Sequence, residues 1–205
     1  MAPCVLYDVN ERTIYMPWAT DLLPYEIDQI KSQFKLRDQQ KKEAVFIGKF
    51  GKYGNIKFQN IDKIDTFKKA CNQLGIYFTC HKGIDNDVSI NLIKNAYLAP
   101  ALQGQWQCET GYIPCRIFKN ISYGQLGVTN NKTVFELFNK KIVYHSNPYQ
   151  LCLDAHARMQ TITKEEIFEQ MDFVRDHHTY LNRIDQLLKF ISIIVPGIEA
   201  QEGLI

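Results

Sequence analysis

An α/β fold, a parallel sheet followed by helices packed back on it, is what this sequence predicts from three observations. Two short runs rich in β-branched and aromatic residues, Glu43 to Gly48 and Ile76 to Cys80, bracket a stretch of helical period. Strand, helix, strand in this order makes parallel pairs with right-handed crossovers. The alternation then repeats as far as His145, and from Pro148 onward the pattern is helical only. Together these describe one Rossmann-like domain over residues 44–160, with a lead-in or interdomain segment, 1–43, before it and C-terminal helices, 161–205, after it.

In the lead-in, Arg12 to Met16 reads as a strand that Pro17-Trp18 turns. Asp21 and Pro24 signal a helix start, and Ile27, Ile30 and Phe34 recur at helical spacing. Lys31 to Lys42 is polar and mostly basic, which reads as a solvated helix face or a linker. After the first sheet strand, GKFGKYG places Gly48, Gly51 and Gly54 three apart. Glycine there lets backbone approach a ligand, but a dinucleotide fingerprint needs a helix straight afterwards, and Asn55 to Gln59 does not read as one. A glycine-rich surface turn is the competing account.

Asn60 is placed to cap a helix with Ile61, Ile64, Phe67, Cys71 and Leu74 on one face and Gly75 as its stop. Beyond Cys80, His81 and Lys82 stand at a strand's carboxyl end, where ligands gather in parallel sheets. A structural hydrogen bond is the bland role for that histidine. Val88 to Ala96 reads as a short helix, Tyr97 to Gln103 as a strand or extended segment, and Gly104 to Ile113 as a loop. Leu126 to Thr129 is a strand with Asn130-Asn131 at its carboxyl end. Thr133 to Phe138 makes a helical turn or two, and Lys141 to His145 one more strand. Thr163 with Glu166 forms a capping box, and Ile184, Leu187, Leu188 and Ile191 make the apolar face of a final helix.

Composition bounds the rest. With 45% hydrophobic and 22% charged residues the chain is ordinary for a globular protein. A net charge of +2 argues for neither nucleic acid nor membrane as a partner. No apolar stretch approaches the roughly 20 residues of a membrane span. The six cysteines lie scattered without a CxxC pair, so they read as reduced thiols, most of them core residues, in a cytoplasmic compartment.

The chemistry concentrates in Gly111 to Asn131, a short helix opened by Pro114 at a first-turn position and closed by Gly124. Thr110 to Phe135 holds no Asp or Glu, while Arg116, Lys119 and Lys132 are cationic. Arg116 and Lys119, three apart, share a helix face near an end that carries free N–H groups and partial positive charge. That combination makes a diphosphate cradle. The alternative is an amphipathic helix with Ile117, Phe118 and Ile121 in the core and two solvated cations.

These residues carry a resemblance. PCRIFKNISYGQLGVTNN, then TVFELF and KIVYH, is similar to the core of the GT-B glycosyltransferases, nearest to the CgeB-like spore-maturation proteins and family-1 transferases. The run His178-Thr179-Tyr180-Leu181-Asn182-Arg183 matches the H-T-Y-x-x-R of their last helix, and AVFIG resembles the start of their donor-binding C-terminal half. The likeness spans roughly Glu43 to Phe190, and the two blocks are specific only in combination.

The resemblance implies transfer of a sugar from a nucleotide-activated donor, without a metal or other cofactor. Arg116 and Lys119 would bind the diphosphate, His81 would lie near the nucleobase, and Thr129 and Asn130 near ribose, phosphate or sugar. The implied binding set is Gly48, His81, Arg116, Lys119, Asn120, Thr129 and Asn130, with no catalytic residue assigned. The Glu-x7-Glu pair of the retaining members falls on Gly111 and Lys119 here. The chain begins about where the family's interdomain connection lies, so a protein partner supplying the acceptor-binding half is expected. A non-catalytic nucleotide- or sugar-binding module, and a plain interaction domain, are the alternatives.

Overall fold

The structure, a computed structural model, describes residues 6–36, 42–53, 56–57 and 60–195. Strand β1 (Leu6–Asp8) pairs antiparallel with β2 (Thr13–Tyr15), and helix α1 (Pro24–Gln33) follows. Strand β3 (Glu43–Ile47) enters the sheet, and a short antiparallel pair, β4 (Lys52–Tyr53) and β5 (Ile56–Lys57), stands where a dinucleotide fingerprint would need a helix. Helix α2 (Ile61–Gln73) then leads to β6 (Tyr77–His81). β3 and β6 run parallel in register from Glu43↔Tyr77 to Ile47↔His81, the strand–helix–strand unit that the periodicity predicts.

After helix α3 (Asn86–Asn95), an extended segment, 97–101, connects the two halves of the sheet. Leu98 bridges Ala44 and Ala101 bridges Thr129, both parallel, with Val45 N–H donating to the Leu98 carbonyl at 2.9 Å and Ala101 N–H to that of Val128 at 2.8 Å. Strand β7 (Val128–Thr129) pairs parallel with β8 (Val143–Tyr144). The spatial order is therefore β6, β3, the 97–101 segment, β7, β8. The chain steps outward from β3 to β6 and then returns to β3's other side, so the order reverses between β3 and the 97–101 segment. Ala44, Val45 and Phe46 are all buried, as they must be in a parallel sheet covered on both faces.

Between the sheet strands lie α4 (Gln105–Glu109), α5 (Cys115–Ser122) and α6 (Lys132–Leu137). α4 occupies what the sequence reads as a loop. Pro114 is the N-cap of α5 and not its first turn, with extended backbone (φ −80°, ψ 151°). Gly124 takes φ +77° just past the end of α5, the left-handed stop expected of it. Ile117, Phe118 and Ile121 are buried as expected. Asn60 stands at the N-cap of α2 as expected, its carbonyl accepting from Ile64 N–H at 2.9 Å, but its side chain makes no capping bond and donates instead to the Lys49 carbonyl at 2.9 Å.

Helices α7 (Pro148–Met159), α8 (Lys164–His177) and α9 (Tyr180–Ile194) complete the chain. The Thr163–Glu166 capping box is present, with Thr163 N–H donating to Glu166 Oε2 at 2.9 Å. In α9 the expected apolar face is turned outward: Ile184 and Leu188 are exposed, and the buried side chains are Arg183 and Phe190. The reason is an anchor on the opposite face, where Tyr7 stacks on Phe190 with ring centroids 5.1 Å apart.

The lead-in packs on these same helices. Lys31 pairs with Asp172 and lies over the Phe168 ring, so it is not a solvated cation; Arg175 pairs with Asp28 at 2.8 Å. Residues 37–41 of the basic stretch lie outside the described residues. Among the described residues, no helix is long and apolar enough to cross a membrane. Cys71, Cys80, Cys108, Cys115 and Cys152 are free thiols, and Cys115 is exposed.

Candidate functional site

A cavity of about 640 Å³ opens where the strand order reverses. Its walls come from chain that leaves the carboxyl ends of two neighbouring strands: Lys49 just after β3, and Gln103 with Gly104 just after the 97–101 segment. α4 adds Trp106 and Gln107, the start of α5 adds Pro114, Cys115 and Arg116, and Trp18, Asn60 and Tyr112 close the rim. Crevices of this kind are where open α/β sheets bind ligands. No Asp, Glu or His lies among these lining residues.

Arg116 is the keystone. Its Nε donates to the Ile47 carbonyl at 2.7 Å and its Nη1 to the Leu102 carbonyl at 3.2 Å. One guanidinium thus ties together the ends of the two strands that the reversal separates. It lies over the Phe46 ring, 4.2 Å from the centroid. Gly48 is required here, because a Cβ at this position would collide with Arg116 Nη2. Among the described residues no carboxylate pairs with Arg116. Exclusion from water pushes its pKa down to about 10, so the group remains charged at neutral pH. An uncompensated cation therefore sits at the first turn of α5, where free N–H groups add to the positive potential.

The other expected site residues divide. Lys119 does not join Arg116: its Nζ donates to Asn86 Oδ1 at 2.6 Å, at the start of α3, and lies 3.8 Å from Asp21 Oδ2. A shared helix face does not bring the two cations together, because each long side chain follows a different neighbour. Asn120 is buried and donates to the Ala99 carbonyl at 2.7 Å, fastening α5 to the 97–101 segment. Thr129 is buried, and its hydroxyl accepts from Asn131 N–H at 3.2 Å. Asn130 is buried beneath the cavity: it accepts from Gln103 N–H at 2.8 Å and donates to the Gln103 carbonyl at 2.9 Å. His81 ends β6, where its carbonyl accepts from Gly48 N–H at 2.9 Å, and its Nε2 is buried without a partner among the described residues.

Several lining residues escape the sequence reading. Gln103 and Lys49 stand just past strand ends, as His81 stands at the end of its own, and that rule would have found them. Trp18 reaches the cavity through the buried Arg183, whose Nε donates to the Pro17 carbonyl at 3.0 Å and Nη2 to the Trp18 carbonyl at 3.2 Å. His178 meets the same guanidinium at 2.8 Å through Nδ1. Burial and the Arg183 charge push the His178 pKa down to about 3, so the imidazole is neutral and Nδ1 accepts. The HTYLNR run is thus a clamp on the lead-in at the cavity rim.

Among the described residues, no group of three or more His, Cys, Asp or Glu side chains is arranged to hold a metal ion. No protein-family model matches the chain, no curated protein matches it, and no solved structure matches it.

Proposed function

We propose that this chain binds a nucleotide-activated sugar in the cavity between the β3 and 97–101 strand ends, as the donor-binding half of a glycosyltransferase. The observation that carries this reading is Arg116: a charged guanidinium, without a carboxylate partner among the described residues, at a helix start on the wall of a crevice whose described lining holds no acid. A diphosphate answers that field. Trp18, Trp106 and Tyr112 offer rings for a base or a sugar face. The small parallel sheets with helices between their strands are compatible with a Rossmann-like domain, and the motif resemblance is what points to the GT-B C-terminal type.

On this reading the bond from the anomeric carbon to the diphosphate oxygen breaks, and the sugar passes to an acceptor hydroxyl. Arg116, Lys49 and the N–H groups at the start of α5 stabilise the charge left on the nucleoside diphosphate. Among the described residues, no lining carboxylate or imidazole is available to take the acceptor's proton. The base would come from the acceptor-binding partner. The reading invokes no metal and no nucleic acid, and it takes the compartment as cytoplasmic.

That same lack of a base favours a second reading, a non-catalytic nucleotide- or sugar-binding module. Thermal-shift titration with UDP, GDP, CDP, dTDP and their sugar conjugates tests the binding common to both. A ligand at a hundred times its Kd adds about 2.7 kcal/mol of stability. No shift with any of them overturns both readings. Release of nucleoside diphosphate from the bound conjugate, with acceptor pools and the partner protein present, separates transfer from binding alone.

A further inference from the structure

We infer that the cavity is built to hold a hydroxyl-bearing sugar beside the phosphate, with Asn60 Oδ1 and Gln103 Oε1 each accepting a hydrogen bond from it. The inference rests on the donor-site reading and assigns the sugar's contacts within it. Both residues line the cavity, and both are more than nine-tenths buried. In each, the amide nitrogen is already used: Asn60 Nδ2 donates to the Lys49 carbonyl at 2.9 Å, and Gln103 Nε2 to the Tyr112 carbonyl at 2.8 Å. These bonds fix the orientation of both amides and leave the oxygens over. Neither oxygen has a hydrogen-bond partner among the described residues.

Buried polar atoms are nearly always paired, so two orphaned acceptors on side chains that line one cavity point to donors that arrive with a ligand. Their position says which part of the ligand. Gln103 follows Leu102, and the Asn60 amide is tied to Lys49, which follows Gly48. Leu102 and Gly48 are the residues against which the Arg116 guanidinium rests. The acceptors therefore flank the cation that takes the phosphate. What adjoins a phosphate and carries several donors is a sugar ring, whose C–H face packs on aromatic side chains while its hydroxyls meet the amides.

Calorimetric titration of the full chain tests this, with UDP and GDP, their glucose, galactose, mannose and N-acetylglucosamine conjugates, and 2′-deoxy-UDP. We expect one conjugate to bind at least about tenfold more tightly than the bare diphosphate, because unpaired acceptors discriminate against ligands that lack their donors. Gln103→Met and Asn60→Leu should each weaken the conjugate several-fold more than they weaken the bare diphosphate. Deoxy-sugar conjugates on the wild type make the same test without a variant that must fold, and one of them should lose the advantage.

Diphosphate binding with no gain from any sugar overturns the inference and leaves the donor-site reading standing. Equal weakening of diphosphate and conjugate in both variants, or a matching loss with 2′-deoxy-UDP, assigns the acceptors to ribose or base and also overturns it. Absence of binding by every probe overturns both.

Discussion

Asn130 and Gln103 are joined by a single side chain that copies a strand ladder: the Asn130 amide accepts from Gln103 N–H at 2.8 Å and donates to the Gln103 carbonyl at 2.9 Å. β7 ends at Thr129 and its backbone pairing with the 97–101 segment ends there too. The amide carries the connection one step further and sets Gln103 at the cavity wall. Removing it strands a donor and an acceptor in a buried place, at about 1–3 kcal/mol per group. Asn130→Leu should lower stability by about 2–4 kcal/mol in urea unfolding. Asn130→Asp keeps the acceptor but sets a buried carboxylate oxygen against the Gln103 carbonyl, so at neutral pH it should cost at least as much as Asn130→Leu.

Gly48 and Arg116 should behave as one unit. Gly48→Ala places a methyl where the guanidinium lies and forces Arg116 off the Ile47 carbonyl. Crowding of this kind costs about 1–3 kcal/mol. Because Arg116→Ala removes the group that is struck, the double variant should lose less than the sum of the two single ones. Strict additivity in denaturant melts would show that the two do not share this contact.

Lys49 and Lys119 should part in binding. Lys49 lines the cavity, whereas Lys119 is spent on Asn86 and Asp21. Lys119→Glu should leave nucleotide affinity within about twofold and, because it sets a carboxylate beside Asp21 at a half-buried position, lower stability by about 1 kcal/mol. Lys49→Glu should weaken a bound diphosphate by about tenfold or more, since it exchanges attraction for repulsion beside the phosphate. Equal titrations for both variants would remove the diphosphate from this cavity.

His178 predicts an acid-sensitive fold. Its folded pKa is depressed to about 3 by burial and by Arg183, with His177 adding to the shift, against about 6.5 when unfolded. Between those values the unfolded chain binds a proton that the folded chain refuses. Stability from this group is therefore complete above about pH 6.5 and falls as pH drops toward 3, by at most about 1.4 kcal/mol per pH unit. Unfolding midpoints for His178→Gln, measured from pH 7 to 4, should show a flatter slope than the wild type.

The regular elements were legible because each leaves a local signature. The period of Ile61, Ile64, Phe67 and Cys71 and the apolar runs around it sufficed for β3, α2 and β6 in parallel. Gly75 and Gly124 stop their helices at φ +66° and +77°, as their positions suggest. α4 was not legible, since five residues are too few to show a period. The exposed face of α9 was misread because apolar spacing says which residues share a side, and not which side meets the core.

At the site, the sequence by itself determined that an acid-free, cation-bearing helix start would stand among strand ends, because charge, proline and glycine act locally. Only the tertiary structure decided which side chains meet there. Arg116 and Lys119 diverge, Asn120, Thr129 and Asn130 brace the frame, and Trp18, Asn60 and Gln103 come to the cavity from three separate stretches. The physical reason is reach. A long side chain bonds whichever carbonyl or carboxylate the folded chain brings within about 3 Å, and that neighbour is set by strand order and helix packing.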